Sequence, residues 1–190
     1  VIPPGAITLG VLAGGRSKRM GGLDKTWIEV DGQPMLAGCV AQFPQTFAAR
    51  MVSARALDPR HDALGLRAVL DLRDGFPGPV AGLEALARAC TTRWLLTVPV
   101  DARGISPDVV DALAVAATGD GACLVDAGGL QPLLALWRAE ALAAAAATAL
   151  DAGDAAARAL VEALALARVD LSPLRLRNLN TPASLQETDR

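Results

Sequence analysis

An α/β sheet with helices on both faces is the fold class this chain predicts, and three observations carry it. Short apolar runs recur along the chain, stretches of helical spacing separate them, and the first run empties into a glycine-rich loop. Ile7 to Ala13 has the pattern of a buried parallel strand feeding a loop. Further strand-like runs follow at Met51 to Ala54, Ala68 to Leu70, Trp94 to Val98, Ala122 to Val125 and Leu133 to Trp137. Helical patterns lie between them at Met35 to Phe43, Val80 to Cys90, Pro107 to Ala117, Arg138 to Ala152 and Ala155 to Leu166. Ser106-Pro107 and Thr181-Pro182 each place a cap residue before a proline at the first helical position. The alanine-rich stretch Ala139 to Ala167 reads as thin scaffold helices broken at Asp151-Ala152-Gly153-Asp154. With 190 residues and no linker or repeat, the chain is expected to form one domain, 1–190.

Composition narrows the partners. Lysine and arginine total 18 against 20 acidic residues, a near-balance that argues against a nucleic-acid binder or a membrane-surface protein. Aromatics make up 3% of the chain, so the core is expected to be aliphatic. The longest charge-free stretch, Gly32 to Ala49, is interrupted by two prolines and three glutamines and cannot span a bilayer. Val1-Ile2-Pro3-Pro4-Gly5 lacks the pattern of a secretory signal, which places the expected location in the cytoplasm. Cys39, Cys90 and Cys123 are odd in number and far apart, so they read as small buried hydrophobes. His61 reads as surface loop, and Trp94 as strand core.

The segment Leu12 to Lys25 concentrates what charge the chain has: Arg16, Lys18, Arg19 and Lys25 stand against a single Asp24, among four glycines. Glycines without Cβ let successive backbone N–H groups converge on an anion, and cationic side chains neutralise what amides cannot. Together these suit a di- or triphosphate better than a carboxylate. Lys18 and Lys25 are the only lysines beside 16 arginines, which suggests a need for a compact, rotatable ammonium there. Asp24-Lys25-Thr26 is not the Gly-Lys-Ser/Thr of a P-loop, and Gly10, Gly14 and Gly15 do not match GxGxxG.

Those residues, Leu12-Ala13-Gly14-Gly15, Arg19-Met20-Gly21-Gly22 and Asp24-Lys25, continued by Gly32-Gln33-Pro34-Met35-Leu36, resemble the N-terminal signature of the molybdenum cofactor guanylyltransferases. The resemblance extends through Gly78-Pro79-Val80-Ala81-Gly82, Pro99-Val100-Asp101 and Asn178-Leu179-Asn180-Thr181-Pro182. It implies a Rossmann-like nucleotidyltransferase fold, a three-layer α/β/α arrangement with a mostly parallel sheet. It also implies transfer of GMP from GTP to the terminal phosphate of molybdopterin with Mg2+, and a handoff to molybdoenzyme chaperones. By the same resemblance Leu12, Ala13, Gly14 and Gly15 line the nucleotide, Lys25 holds the triphosphate and Arg19 faces the phosphates. Asp71 takes the nucleotide-contacting acidic position, Ser53 stands where the family commonly has Asn, and Asp101 resembles the magnesium ligand. Gly22, Gly78, Gly82, Asn178 and Asn180 fall on the acceptor side. There Gln131 replaces a frequent basic residue, and Ala155 to Ala157 stand where related proteins carry Arg just after the glycine.

Elementary chemistry leaves alternatives open. Asp101 follows an apolar strand, where open α/β sheets bind ligands, but an aspartate there also serves as a turn former. Asp71, beside Arg73 and Asp74, reads equally as a ligand or as part of a solvated charge cluster. The competing functions are nucleotidyl transfer of another kind, to a cytidylyl form of the same cofactor or to a sugar phosphate, and a catalytically silent GTP-binding protein in cofactor delivery.

Overall fold

Every residue of the first strand is buried, and its side chains alternate between two apolar faces, so it belongs at the middle of a covered sheet. The computed structural model describes residues 1–13, 25–73 and 78–179. Over these the chain runs β1 (Ile7–Leu12), a 3-10 turn (Lys25–Trp27), β2 (Glu29–Val30), β3 (Gln33–Pro34), α1 (Met35–Ala41), β4 (Ala49–Ala54), α2 (Pro59–Ala63) and β5 (Arg67–Leu70). It continues with α3 (Pro79–Ala89), β6 (Trp94–Pro99), β7 (Ala102–Arg103), α4 (Pro107–Ala116), β8 (Gly121–Asp126) and β9 (Gly129–Arg138). The remainder is α5 (Ala139–Asp151), α6 (Ala157–Ala163), β10 (Ala167–Asp170) and β11 (Arg177–Asn178).

Seven strands form one sheet in the order β10-β8-β9-β6-β1-β4-β5. All its pairings are parallel except the two made by β9, which runs against β6 and β8. Helices α1 and α4 bury Leu36, Cys39, Val109 and Leu113 on one face; α3, α5 and α6 bury Leu83, Leu86, Leu142 and Leu160 on the other. The arrangement is three layers, α/β/α, around a mostly parallel sheet, as expected. The strand order reverses at β1: the chain steps outward to β4 and β5, then returns through α3 to β6 on the far side. Such a reversal opens a crevice at the carboxyl ends of the strands.

Several local expectations need correction. The strand-helix alternation fails between β8 and β9, which join through the two-residue turn Ala127-Gly128. The last helical pattern is shorter than its periodicity suggests; α6 ends at Ala163, and Ala167–Asp170 pairs with β8 as β10. His61 is not surface loop: it is 2% exposed within α2. The signal was Asp58-Pro59, where the Asp58 carboxylate accepts from Arg60 N at 2.9 Å, ahead of a proline at the start of the helix. Cys39 and Cys123 are buried and Cys90 is half-buried; all three are free. Trp94 is partly buried against the core, while Trp137 is fully buried and donates its Nε1–H to Thr97 Oγ1 at 2.8 Å. Thr181-Pro182 lies outside the described residues.

Candidate functional site

The carboxyl ends of β6, β1, β4 and β5 lie side by side. Leu12 pairs in register with Pro99 on one side and Ser53 on the other, and Ala54 pairs with Leu70. Two main-chain bonds carry the pairing past the strand ends: Ala13 N–H donates to Ser53 O at 3.3 Å, and Val100 N–H to Leu12 O at 3.1 Å. The residues that follow these strands therefore emerge into one crevice.

Asp101 and Lys25 meet there. Lys25 Nζ donates to Asp101 Oδ2 at 3.3 Å across 76 residues of sequence, and the two side chains are 21% and 15% exposed. Neither group is sealed from solvent, so the ammonium can turn to a phosphate while the carboxylate is open to a cation. The turn holding Asp101 is braced from α1. The Arg103 guanidinium donates to Val100 O and Met35 O, both at 3.0 Å, and Gln42 bridges Ala102 O (2.9 Å) and Ile105 N (3.0 Å). Burial lowers the pKa of Arg103, with Cys39 and Asp101 acting against the shift. Neither brace was legible in sequence, since nothing in a lone Gln or Arg announces which carbonyls it will meet.

A second brace comes from the end of the described chain. In the small sheet β11-β7, Asn178 stands opposite Ala102, and Leu179 N–H donates to Asp101 O at 3.0 Å. Asn178 is thus brought beside Asp101, as an exposed residue. The segment is anchored by Asp126, 3% exposed, whose carboxylate accepts from Gly128 N (2.7 Å), Gln131 Nε2 (3.0 Å) and Leu176 N (2.8 Å). Burial pushes the Asp126 carboxyl upward, but these hydrogen bonds outweigh it and hold the pKa below the usual value. Gln131 accordingly serves Asp126. The acid follows a strand just as Asp101 does, and that was the available signal.

Asp71 follows β5 at the outer end of the crevice. Its Oδ1 is buried without a hydrogen-bond partner among the described residues, and burial raises its pKa, opposed by Arg55. It does not form a charge cluster with Arg73. That arginine turns instead to Glu84 (2.7 and 3.2 Å) and Asp151 (2.6 Å), tying the segment after β5 to α3 and α5.

Leu12 and Ala13 are nearly buried at the end of β1, and Ser53 is 1% exposed. Gly82 lies on α3 directly over them: a Cβ there would come within 2.8 Å of Ser53 Oγ and 3.1 Å of Leu12 Cδ2. Gly82 is buried, and what its missing Cβ permits in this structure is close helix-to-strand contact. Gly78, exposed, precedes α3 with φ +93°, a conformation that favours glycine. Gly14, Gly15, Arg19, Gly22 and Asn180 lie outside the described residues.

Among the described residues no group of three or more His, Cys, Asp and Glu side chains could hold a metal by itself. Burial pushes the Cys39 and Cys123 thiols up to about 12, which keeps them protonated. A cleft of about 570 Å³ opens at the other end of the sheet, lined in part by Cys90, Thr92, Arg93 and Arg138. Arg138 is paired with Asp120 and Arg93 lies over the Trp94 ring, so this cleft lacks the carboxylate-ammonium meeting of the strand ends. None of the described helices is long and apolar enough to cross a membrane.

Comparison with known proteins agrees with this fold. Residues 9–169 match the family model of the MobA-like NTP transferase domain. A molybdenum cofactor guanylyltransferase of Cupriavidus pinatubonensis is 36% identical over 134 residues, 66% of this chain and 67% of the relative. One from Shewanella putrefaciens is 33% identical over 112 residues, covering 59% of this chain and 57% of the relative. The matched stretch thus spans roughly three-fifths of such relatives' length. In fold, the chain is similar to molybdopterin-guanine dinucleotide biosynthesis protein A from Archaeoglobus fulgidus, with a TM-score of 0.74, 22% identity and 95% of each chain covered. It is also similar to 2-C-methyl-D-erythritol 4-phosphate cytidylyltransferase from Thermus thermophilus, with a TM-score of 0.67, 16% identity, and 93% of this chain and 94% of that one covered.

Proposed function

Because the chain belongs to the MobA-like NTP transferase family, we propose that it transfers GMP from GTP to the terminal phosphate of molybdopterin, releasing pyrophosphate and forming the guanine dinucleotide cofactor in the cytoplasm. The observation that carries this reading is the meeting of Lys25 and Asp101 at the switch point of the sheet. In the reaction a terminal phosphate oxygen of the acceptor bonds to the α-phosphorus of GTP, and the bond from that phosphorus to the bridging oxygen of pyrophosphate breaks. Anion approaches anion, so the protein's work is to position the reactants and neutralise charge. The acceptor phosphate is already ionised near neutral pH, so neither a protein nucleophile nor a general base is needed.

Lys25 supplies an ammonium to the triphosphate, and by family correspondence Gly14, Gly15 and Arg19 complete that side. In this reading Asp71, whose Oδ1 has no hydrogen-bond partner among the described residues, serves the nucleoside, and Asn178, brought beside Asp101, serves the acceptor. Mg2+ belongs to the proposal. Such an ion takes one or two protein carboxylates and fills its shell with phosphate oxygens and water, a requirement that Asp101 fits as a single hard donor at a strand end. When bound, it supplies charge neutralisation on the phosphates. The test is transfer of label from α-labelled GTP to purified molybdopterin, with α-labelled CTP in parallel. Label from GTP alone is the expected outcome; equal transfer from both, or from neither, overturns the guanylyl reading.

A further inference from the structure

Lys25 belongs to a single 3-10 turn, Lys25–Trp27, and one turn has few internal bonds with which to aim a long side chain. The residue two positions on is held from outside. The Trp27 ring stacks on His61, with centroids 5.1 Å apart and planes tilted by 36°, and the Arg60 guanidinium lies over the same ring at 3.9 Å from its centroid. Both partners come from α2, beyond β4. Arg60 is in turn held by the Asp58 carboxylate through Nε (3.0 and 3.1 Å) and Nη2 (2.6 Å), while that carboxylate also caps the helix. His61 is 2% exposed, and its Nδ1 has no hydrogen-bond partner among the described residues, so here the ring serves as a packing surface. Thr26, between Lys25 and Trp27, is buried as well.

From this geometry we infer that Trp27, held by Arg60 and His61, is a positioning residue that sets where the Lys25 ammonium stands relative to Asp101. The inference rests on the reading of Lys25 as the triphosphate-binding lysine. Trp27 fixes the turn from which the lysine extends, and a misplacement of about 1 Å at a reacting centre can cost as much as 100-fold in rate. A planar ring in contact with both a guanidinium and an imidazole has directional partners that an aliphatic side chain lacks.

The test is a double-mutant cycle on the full chain, read as kcat/KM for pyrophosphate release with GTP and molybdopterin and as GTP affinity by calorimetry. Trp27→Ala should lower kcat/KM roughly tenfold when Lys25 is present, and Trp27→Phe should recover most of the loss. In a Lys25→Ala background the same Trp27→Ala change should have less than about a twofold effect, because no ammonium remains to be placed. Arg60→Gln, made in both backgrounds, repeats the test at an exposed position if Trp27→Ala does not fold. Equal losses in the two backgrounds, or no loss in either, overturn the positioning role while leaving the function of Lys25 standing. Full activity and GTP affinity in Lys25→Ala alone overturn the parent reading and this inference with it.

Discussion

Asp71 shows how little of a residue's state can be inferred from its sequence neighbours. The family resemblance marked it for the nucleotide, but Arg73, two residues away, suggested a solvated charge cluster and instead serves Glu84 and Asp151. One of the Asp71 carboxylate oxygens has no hydrogen-bond partner among the described residues, and burial raises its pKa. A group whose folded pKa is raised disfavours the folded state while ionised, and that cost fades as pH falls through the folded value. Asp71→Asn is therefore expected to raise the melting temperature of the ligand-free protein at pH 7 by about 2 °C while weakening GTP binding roughly tenfold. Differential scanning fluorimetry without and with GTP reads both halves; a variant that melts lower and binds as before would contradict the assignment. Lys25 was legible because lysine is so scarce here; its meeting with Asp101 was not, since a lysine in a short 3-10 turn and an aspartate after β6 come together only in the fold. Asp101→Asn should keep the fold's melting temperature within a few degrees yet lose nearly all Mg2+-dependent turnover, as pyrophosphate release with and without the ion would record.

At the scale of elements, α3 is the most exacting contact around the site. Glycine at position 82 lets the helix lie directly on the ends of β1 and β4, and Gly82→Ala must displace either Ser53 or Leu12. The gain in helix propensity, about 1 kcal/mol, opposes an overpacking cost of about 1–3 kcal/mol. A net loss of about 1 kcal/mol is expected, together with a weaker nucleotide site, measurable by urea unfolding and GTP titration. The strands of the sheet's parallel half were legible because they are continuous apolar runs, and α4 because Ser106-Pro107 punctuates its start. The β8-β9 hairpin was not, since a run covered on both faces looks alike whichever way it points. The short strands β7 and β11 carry no periodicity at all; the Asp126 carboxylate anchors the chain beside β11 through Leu176 N, a contact across 50 residues that no local pattern announces.

At the scale of the molecule, two buried carboxylates among the described residues shape the response to acid. Asp126 and Glu84 are 3% and 2% exposed, and both have pKa values held below the ordinary range. For Glu84 the hydrogen bonds from Arg73 dominate, against the upward push of burial. A depressed folded pKa adds stability that is complete above the unfolded value, near 4, and disappears as pH falls through the folded value. Thermal stability should therefore be nearly level between pH 7 and about pH 5 and decline below that. Asp126→Asn should flatten part of the decline while lowering the plateau, and a slope identical to that of the parent protein would argue against Asp126 as an acid-sensitive anchor. The seam that Leu179 N–H makes with Asp101 O has a temporal corollary. Residue 101 is translated before residue 179, so a growing polypeptide can pair β1 with β6 before this stitch is available. The backbone carbonyl of Asp101 therefore gains its partner only after its neighbours in the central sheet have theirs.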